Sequence, residues 1–154
     1  ITQGKTNAFI VSGGKDARVF RSTDHGKTWT SAKSPIISGP SGAGIFSIAM
    51  WDANNGVIVG GNYEKPTDAG GTLGFTSDGG TTWKPGKGLN GYRSGVAYVD
   101  PKTIVAVGTN GSDISSDAGK TWTSLDKLDY NAVQANGKRA IWAVGPKGNV
   151  AKMK

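Results

Sequence analysis

The sequence predicts an all-β fold assembled from repeated short-stranded units, and three observations carry that prediction. The 154 residues include 25 glycines, about one in six, where ordinary usage is about 7%. Ten of the eleven acidic residues are Asp and only Glu64 is Glu. Glycine disfavours helix interiors and Glu favours them, so this balance reads against helices. Third, the pattern Ser/Thr-x-Asp-x-Gly-x-Thr-Trp occurs three times without gaps, at residues 22–29, 76–83 and 115–122. Looking for such self-similarity comes before any assignment of elements, because a period of this size sets the architecture.

The repeat orders the elements. The box aspartates Asp24, Asp78 and Asp117 are 54 and 39 residues apart. An apolar run closing on glycine precedes each box, at 9–13, 57–60 and 104–108, and recurs at 141–145 without a box. That makes four units. In each box, Asp accepts hydrogen bonds from backbone N–H groups just ahead of it, and glycine supplies a positive φ. Thr and Trp then restart a strand, since both types suit a pleated surface. The box is therefore a hairpin turn between two strands, and Ser22, Asp24, Gly26 and Trp29, Thr76, Asp78, Gly80 and Trp83, and Ser115, Asp117, Gly119 and Trp122 are read as scaffold.

Within a unit, an inner strand comes first: 45–50, 94–98 and 131–134. Small residues there (Ser47, Gly95, Ala132) suit a taper toward a crowded axis. The glycine-ended run is the second strand. Residues 17–21, 72–75, 113–115 and 149–153 are third strands, and the box tryptophans open fourth strands. Unit one is read as starting at its second strand and unit four as ending at its third, which gives 14 strands. The units span approximately 1–33, 44–86, 93–126 and 129–154. Four short strands in about 40 residues match a propeller blade, so the chain reads as about 3.5 blades, half of a seven-bladed ring.

Cysteine is absent and His25 is the only histidine. Disulfides, thiolate metal sites, thiol nucleophiles and multi-histidine metal sites are excluded together. Gly-Lys-Thr at 26–28 and 119–121 lacks the upstream glycine of a phosphate-binding loop, with Arg21 and Ile114 in its place. The sequon 110–112 stands alone. The net charge is +7, with 14 lysines and 4 arginines spread along the chain and densest at Lys138, Arg139, Lys147, Lys152 and Lys154. No nucleic-acid-binding pattern accompanies them, so nucleic acid is not an expected partner. No stretch approaches the roughly 20 apolar residues of a membrane span. No leader is read at the start, and because Ile1 rather than Met stands first, an upstream segment is expected.

The boxes resemble the Asp-box, or BNR repeat, of sialidase-type β-propellers. Over residues 8–153 the chain is similar to bacterial BNR/YVTN-like propellers and to photosystem II assembly propellers. The resemblance implies that ligands sit on the face made by loops entering the inner strand and loops joining second to third strands. It also implies a periplasmic or secreted protein. On this chain that face carries the long loop 62–70 and the loop 89–94, so Tyr63, Glu64, Lys65, Tyr92 and Arg93 are the candidate ligand-binding residues. Long loops on a rigid scaffold are a common place for function.

A sialidase-like hydrolase needs an arginine cluster and a Tyr nucleophile with a Glu partner. Tyr63 and Glu64 have the right types, but neighbours on extended chain point apart. Arg18 and Arg21 lie beside the first box, leaving only Arg93 and Arg139. The reading is therefore a non-enzymatic binding or assembly scaffold for a protein segment or glycan, with no catalytic residue, metal or cofactor assigned. The alternative is a fragment of a sialidase-like glycoside hydrolase. Closure is expected through a homodimer or through the remainder of a longer propeller chain.

Overall fold

The structure, a computed structural model, describes residues 2–3 and 6–153. Four antiparallel sheets follow one another along the chain, each a propeller blade. The first holds β1 (Thr2–Gln3), β2 (Asn7–Val11), β3 (Arg18–Ser22) and β4 (Thr30–Lys33). The second holds β5 (Ala43–Met50), β6 (Gly56–Asn62), β7 (Leu73–Thr76) and β8 (Lys84–Pro85). The third holds β9 (Gly95–Tyr98), β10 (Ile104–Gly108), β11 (Gly111–Ser115) and β12 (Thr123–Asp126). The fourth holds β13 (Ala132–Asn136), β14 (Ala140–Val144) and β15 (Val150–Lys152), with a 3-10 turn at Pro146–Gly148. Each sheet is a meander in chain order.

The described strands number fifteen, not the fourteen read from the sequence. The difference is β1, two residues that pair with Ala8 and Asn7 and give blade one an inner strand. So short a strand carries no hydrophobic alternation to announce it.

Apolar clusters fill the spaces between successive sheets. Phe9 and Val19 of blade one meet Ile48, Ile58 and Trp83 of blade two. Val57, Val59 and Leu73 of blade two meet Val96, Ile104 and Ala106 of blade three, with Trp122 at the margin. Val105 and Val107 of blade three meet Val133 and Ile141 of blade four. Middle second strands are covered on both sides, so β6 and β10 are buried at every residue and read as unbroken apolar runs rather than alternations. The inner strands β5, β9 and β13 stand side by side. Their small residues have a physical cause: a Cβ on Gly95 would lie 3.1 Å from the Cα of Ala132. Ser47 Oγ accepts a hydrogen bond from Val96 N at 3.2 Å across the same seam.

The three boxes fold alike. Ser22, Thr76 and Ser115 each donate a hydroxyl hydrogen bond of 2.8 Å to the box aspartate. Those hydroxyls accept the N–H of Gly26, Gly80 and Gly119. The aspartates accept the N–H and the hydroxyl of Thr28, Thr82 and Thr121. The residue between Asp and Gly also takes a positive φ: 63° at His25, 70° at Gly79 and 61° at Ala118. The tryptophans of these scaffold turns differ in burial. Trp83 is 8% exposed but Trp29 is 40% exposed. A box tryptophan packs against the preceding blade, and among the described residues no blade precedes the first.

Candidate functional site

The loop 62–70 is held by its own backbone. Asn62, buried at the end of β6, accepts the N–H of Glu64 on Oδ1 at 2.9 Å. Tyr63 N donates to Gly42 O at 3.1 Å, which joins this loop to the one entering β5. Pro66 O accepts from Tyr92 N at 2.9 Å and from Asn110 Nδ2 at 2.8 Å, which joins it to the loop entering β9 and to the β10–β11 turn. Four connections of one face are thus tied into one rim.

On that rim the structure brings Tyr63 and Tyr92 together through a residue that sequence reasoning missed. Phe46 lies between them, its ring 6.1 Å from Tyr63 and 4.9 Å from Tyr92, edge to face with both. Such edge-to-face pairs contribute beyond the area they bury. The β5–β6 register slips between Ile45 and Ser47, so Phe46 is the extra residue of a bulge. A bulge re-aims a side chain, and here it leaves Phe46 partly exposed at the inner strand. Tyr63 is 50% exposed and Tyr92 is buried. Burial pushes the Tyr92 hydroxyl up from its ordinary value, against a hydrogen bond with Ser94. Glu64 and Lys65 are exposed beside the rings, and Glu64 folds back over Gly42, where a Cβ would meet its Cδ at 3.0 Å.

Arg93 sits beneath this rim, 1% exposed, in a buried ion pair with Asp113. Its Nε donates to Asp113 Oδ2 at 2.8 Å, and its Nη1 donates to Tyr92 O and to Asn110 Oδ1, each at 2.7 Å. Asp113 also accepts the N–H and the side-chain amide of Asn90. The guanidinium is therefore a strut that holds Tyr92 in place, and its donors are turned inward. Asp113 was the legible hint: a lone acid on a third strand, where its unit otherwise carries small or apolar residues.

The arrangement offers the exposed rings of Phe46 and Tyr63, the Tyr63 phenol hydroxyl and one charge of each sign at its edge, with Tyr92 packed behind them. That suits contact with an extended peptide or a sugar ring. It does not assemble an arginine cluster, because Arg93 is committed to Asp113, and Arg18 and Arg21 belong to β3 beside the first box.

No protein-family profile and no curated protein matches the chain. Solved structures do match. YCF48 bound to a D1 peptide superposes with a TM-score of 0.64 at 18% identity, over 98% of this chain and 48% of that one. The GH74 enzyme of Niastella koreensis gives 0.69 at 19% identity, over 96% and 27%. The GH74 xyloglucanase of Xanthomonas campestris gives 0.58 at 16% identity, over 97% and 29%. At these identities the likeness shows the propeller fold alone. The chain spans about half the length of the first of these structures and under a third of the other two.

Proposed function

We propose that the chain is a non-enzymatic binding or assembly scaffold of the Asp-box propeller type, taking a protein segment or a glycan on its loop face. The observation that carries this reading is the Phe46–Tyr63–Tyr92 cluster, raised on a rim that a buried ion pair and Pro66 hold rigid. Rigid aromatic residues supply contact area at low entropic cost. The solved YCF48 propeller bound to a peptide supports a peptide ligand, and the Xanthomonas campestris xyloglucanase supports a glycan.

We further propose that these blades belong to a larger ring, closed by a second copy or by more of the same chain. Both end faces carry apolar residues at positions the interior buries. Ile10 and Ile58 each lie two residues beyond the partner of a box hydroxyl, yet Ile58 is buried and Ile10 exposed. Trp142 and Val144 are likewise exposed where Val105 and Val107 are buried.

The test is retention on soluble polysaccharides, xyloglucan among them, and on an array of extended peptides. Binding lost in both Tyr63→Ala and Phe46→Ala, with the melting temperature kept, supports the site. Binding unchanged in both removes it. A panel of fluorogenic glycosides is run beside it, and turnover abolished by Glu64→Gln would replace the scaffold reading with the hydrolase.

A further inference from the structure

A second aromatic site lies on the opposite face. β5 ends at Met50, and the turn that follows carries Trp51 to the box side, between blades two and three. Trp51 is 39% exposed, and its ring lies 5.9 Å from that of Tyr98 at a tilt of 53°. With Phe75 these rings line an open cavity of about 420 Å³, whose polar wall includes Asp52, Asn55 and Ser77.

The turn is built around Asp52. Its Oδ1 accepts Asn54 N at 2.8 Å and Asn55 N at 2.7 Å, and its Oδ2 accepts Asn55 Nδ2 at 2.9 Å. Trp51 N closes the turn on Asn55 O at 2.9 Å. These bonds hold the Asp52 carboxyl below its usual range, so it is charged at neutral pH. Burial first, and Asp52 second, push the Tyr98 hydroxyl up to about 12, so that ring stays a neutral phenol. No Lys or Arg stands among the described lining residues, although the chain as a whole is +7.

Three aromatic side chains and one carboxylate, with no Lys or Arg among the described lining residues, give this hollow a net negative wall. The negative ring faces attract a cation whose charge is spread over alkyl groups, and the carboxylate adds to that attraction. We propose that this cavity binds an alkylammonium group, either a small quaternary amine or a methylated lysine side chain. The site is independent of the Phe46–Tyr63–Tyr92 rim.

The test is a ¹⁹F NMR titration of the full chain labelled with 5-fluorotryptophan, the Trp51 resonance being the one lost in Trp51→Phe. The probes are choline, an N-trimethyl-lysine peptide, and the neutral choline isostere 3,3-dimethylbutan-1-ol, at constant ionic strength. Choline is expected to shift the Trp51 resonance saturably, with a Kd of about 1–10 mM for so small a ligand. The isostere should bind at least about fivefold more weakly. Asp52→Asn, which keeps most of the turn's acceptors, should weaken choline about threefold or more, while Tyr98→Phe, which keeps the ring, should bind as before. A tighter lysine peptide assigns the site to a protein partner, and tighter choline assigns it to a small molecule. Equal binding of the isostere, or no saturable shift with either cation, overturns the proposal.

Discussion

At the scale of the residue, the boxes act as an internal control on backbone strain. Three turns share one hydrogen-bond scheme, but the left-handed position holds His25, Gly79 and Ala118 in turn. Side chains resist that conformation by about 1–2 kcal/mol. Ala118→Gly is therefore expected to stabilise the protein by a net of about 0.5–1 kcal/mol, the relieved strain exceeding the backbone entropy glycine adds to the unfolded chain, as read from the urea midpoint. Arg93 and Asp113 mark the other extreme. Both are buried, and their charges compensate each other. Asp113→Ala leaves a buried cation without its partner and is expected to cost about 3–5 kcal/mol by chemical denaturation. It should also loosen Tyr92 and weaken any ligand of the rim. The box geometry was legible because every bond in it closes within four residues. The position of Arg93, in the loop entering β9, was not, because its partner lies 20 residues away on β11. Phe46 was hidden for a related reason: Ile-Phe-Ser-Ile gives no sign of which residue a bulge turns outward.

At the scale of the element, each box couples a hairpin to pH. Asp24, Asp78 and Asp117 are lowered from 3.8 to about 2, first by the hydroxyls of Thr28, Thr82 and Thr121. Asp100 is lowered to about 2 by backbone N–H groups of Lys102 and Thr103. A carboxyl with a depressed folded-state pKa stabilises the fold above its unfolded value. That stability goes as pH falls through the folded value, where both states are protonated. The melting temperature should therefore drop between about pH 4 and pH 2. The triple variant Asp24→Asn, Asp78→Asn, Asp117→Asn should flatten part of that drop, leaving the shares of Asp100 and Asp52. An equally steep curve in the variant would assign the acid sensitivity elsewhere. The strand pattern itself was legible from glycine-ended runs and turn residues, whereas β1 was not, being set by pairing with β2 rather than by its own composition.

At the scale of the whole molecule, the two end faces decide behaviour in solution. Ile10 and Trp29 at one end, and Trp142, Val144 and Val150 at the other, are exposed apolar residues on sheet faces. Faces of this kind mark interaction surfaces. Light scattering over a range of concentrations should show a species near twice 15.9 kDa if two copies close one ring. Trp29→Ser with Trp142→Ser should return it to the monomer mass. A monomer at every concentration would reject closure by a second copy and leave closure by further chain. The way one blade grips the next has its own consequence. Phe9 reaches Gly80 of the second box, and Phe75 reaches Gly119 of the third, so each grip passes only to the adjoining sheet. Cooperativity in such a stack is a nearest-neighbour property, and opening proceeds inward from the ends. Amides of β6 and β10 should exchange slowest, and those of β4 and β15 first. Truncation of Ile58 to Ala should cost about 2–5 kcal/mol and let blade one melt apart from the rest, seen as a second transition in calorimetry, while the same change at Ile10 should shift stability by no more than about 0.5 kcal/mol. The seam between blades one and two is the hinge on which the molecule melts as one body or as two.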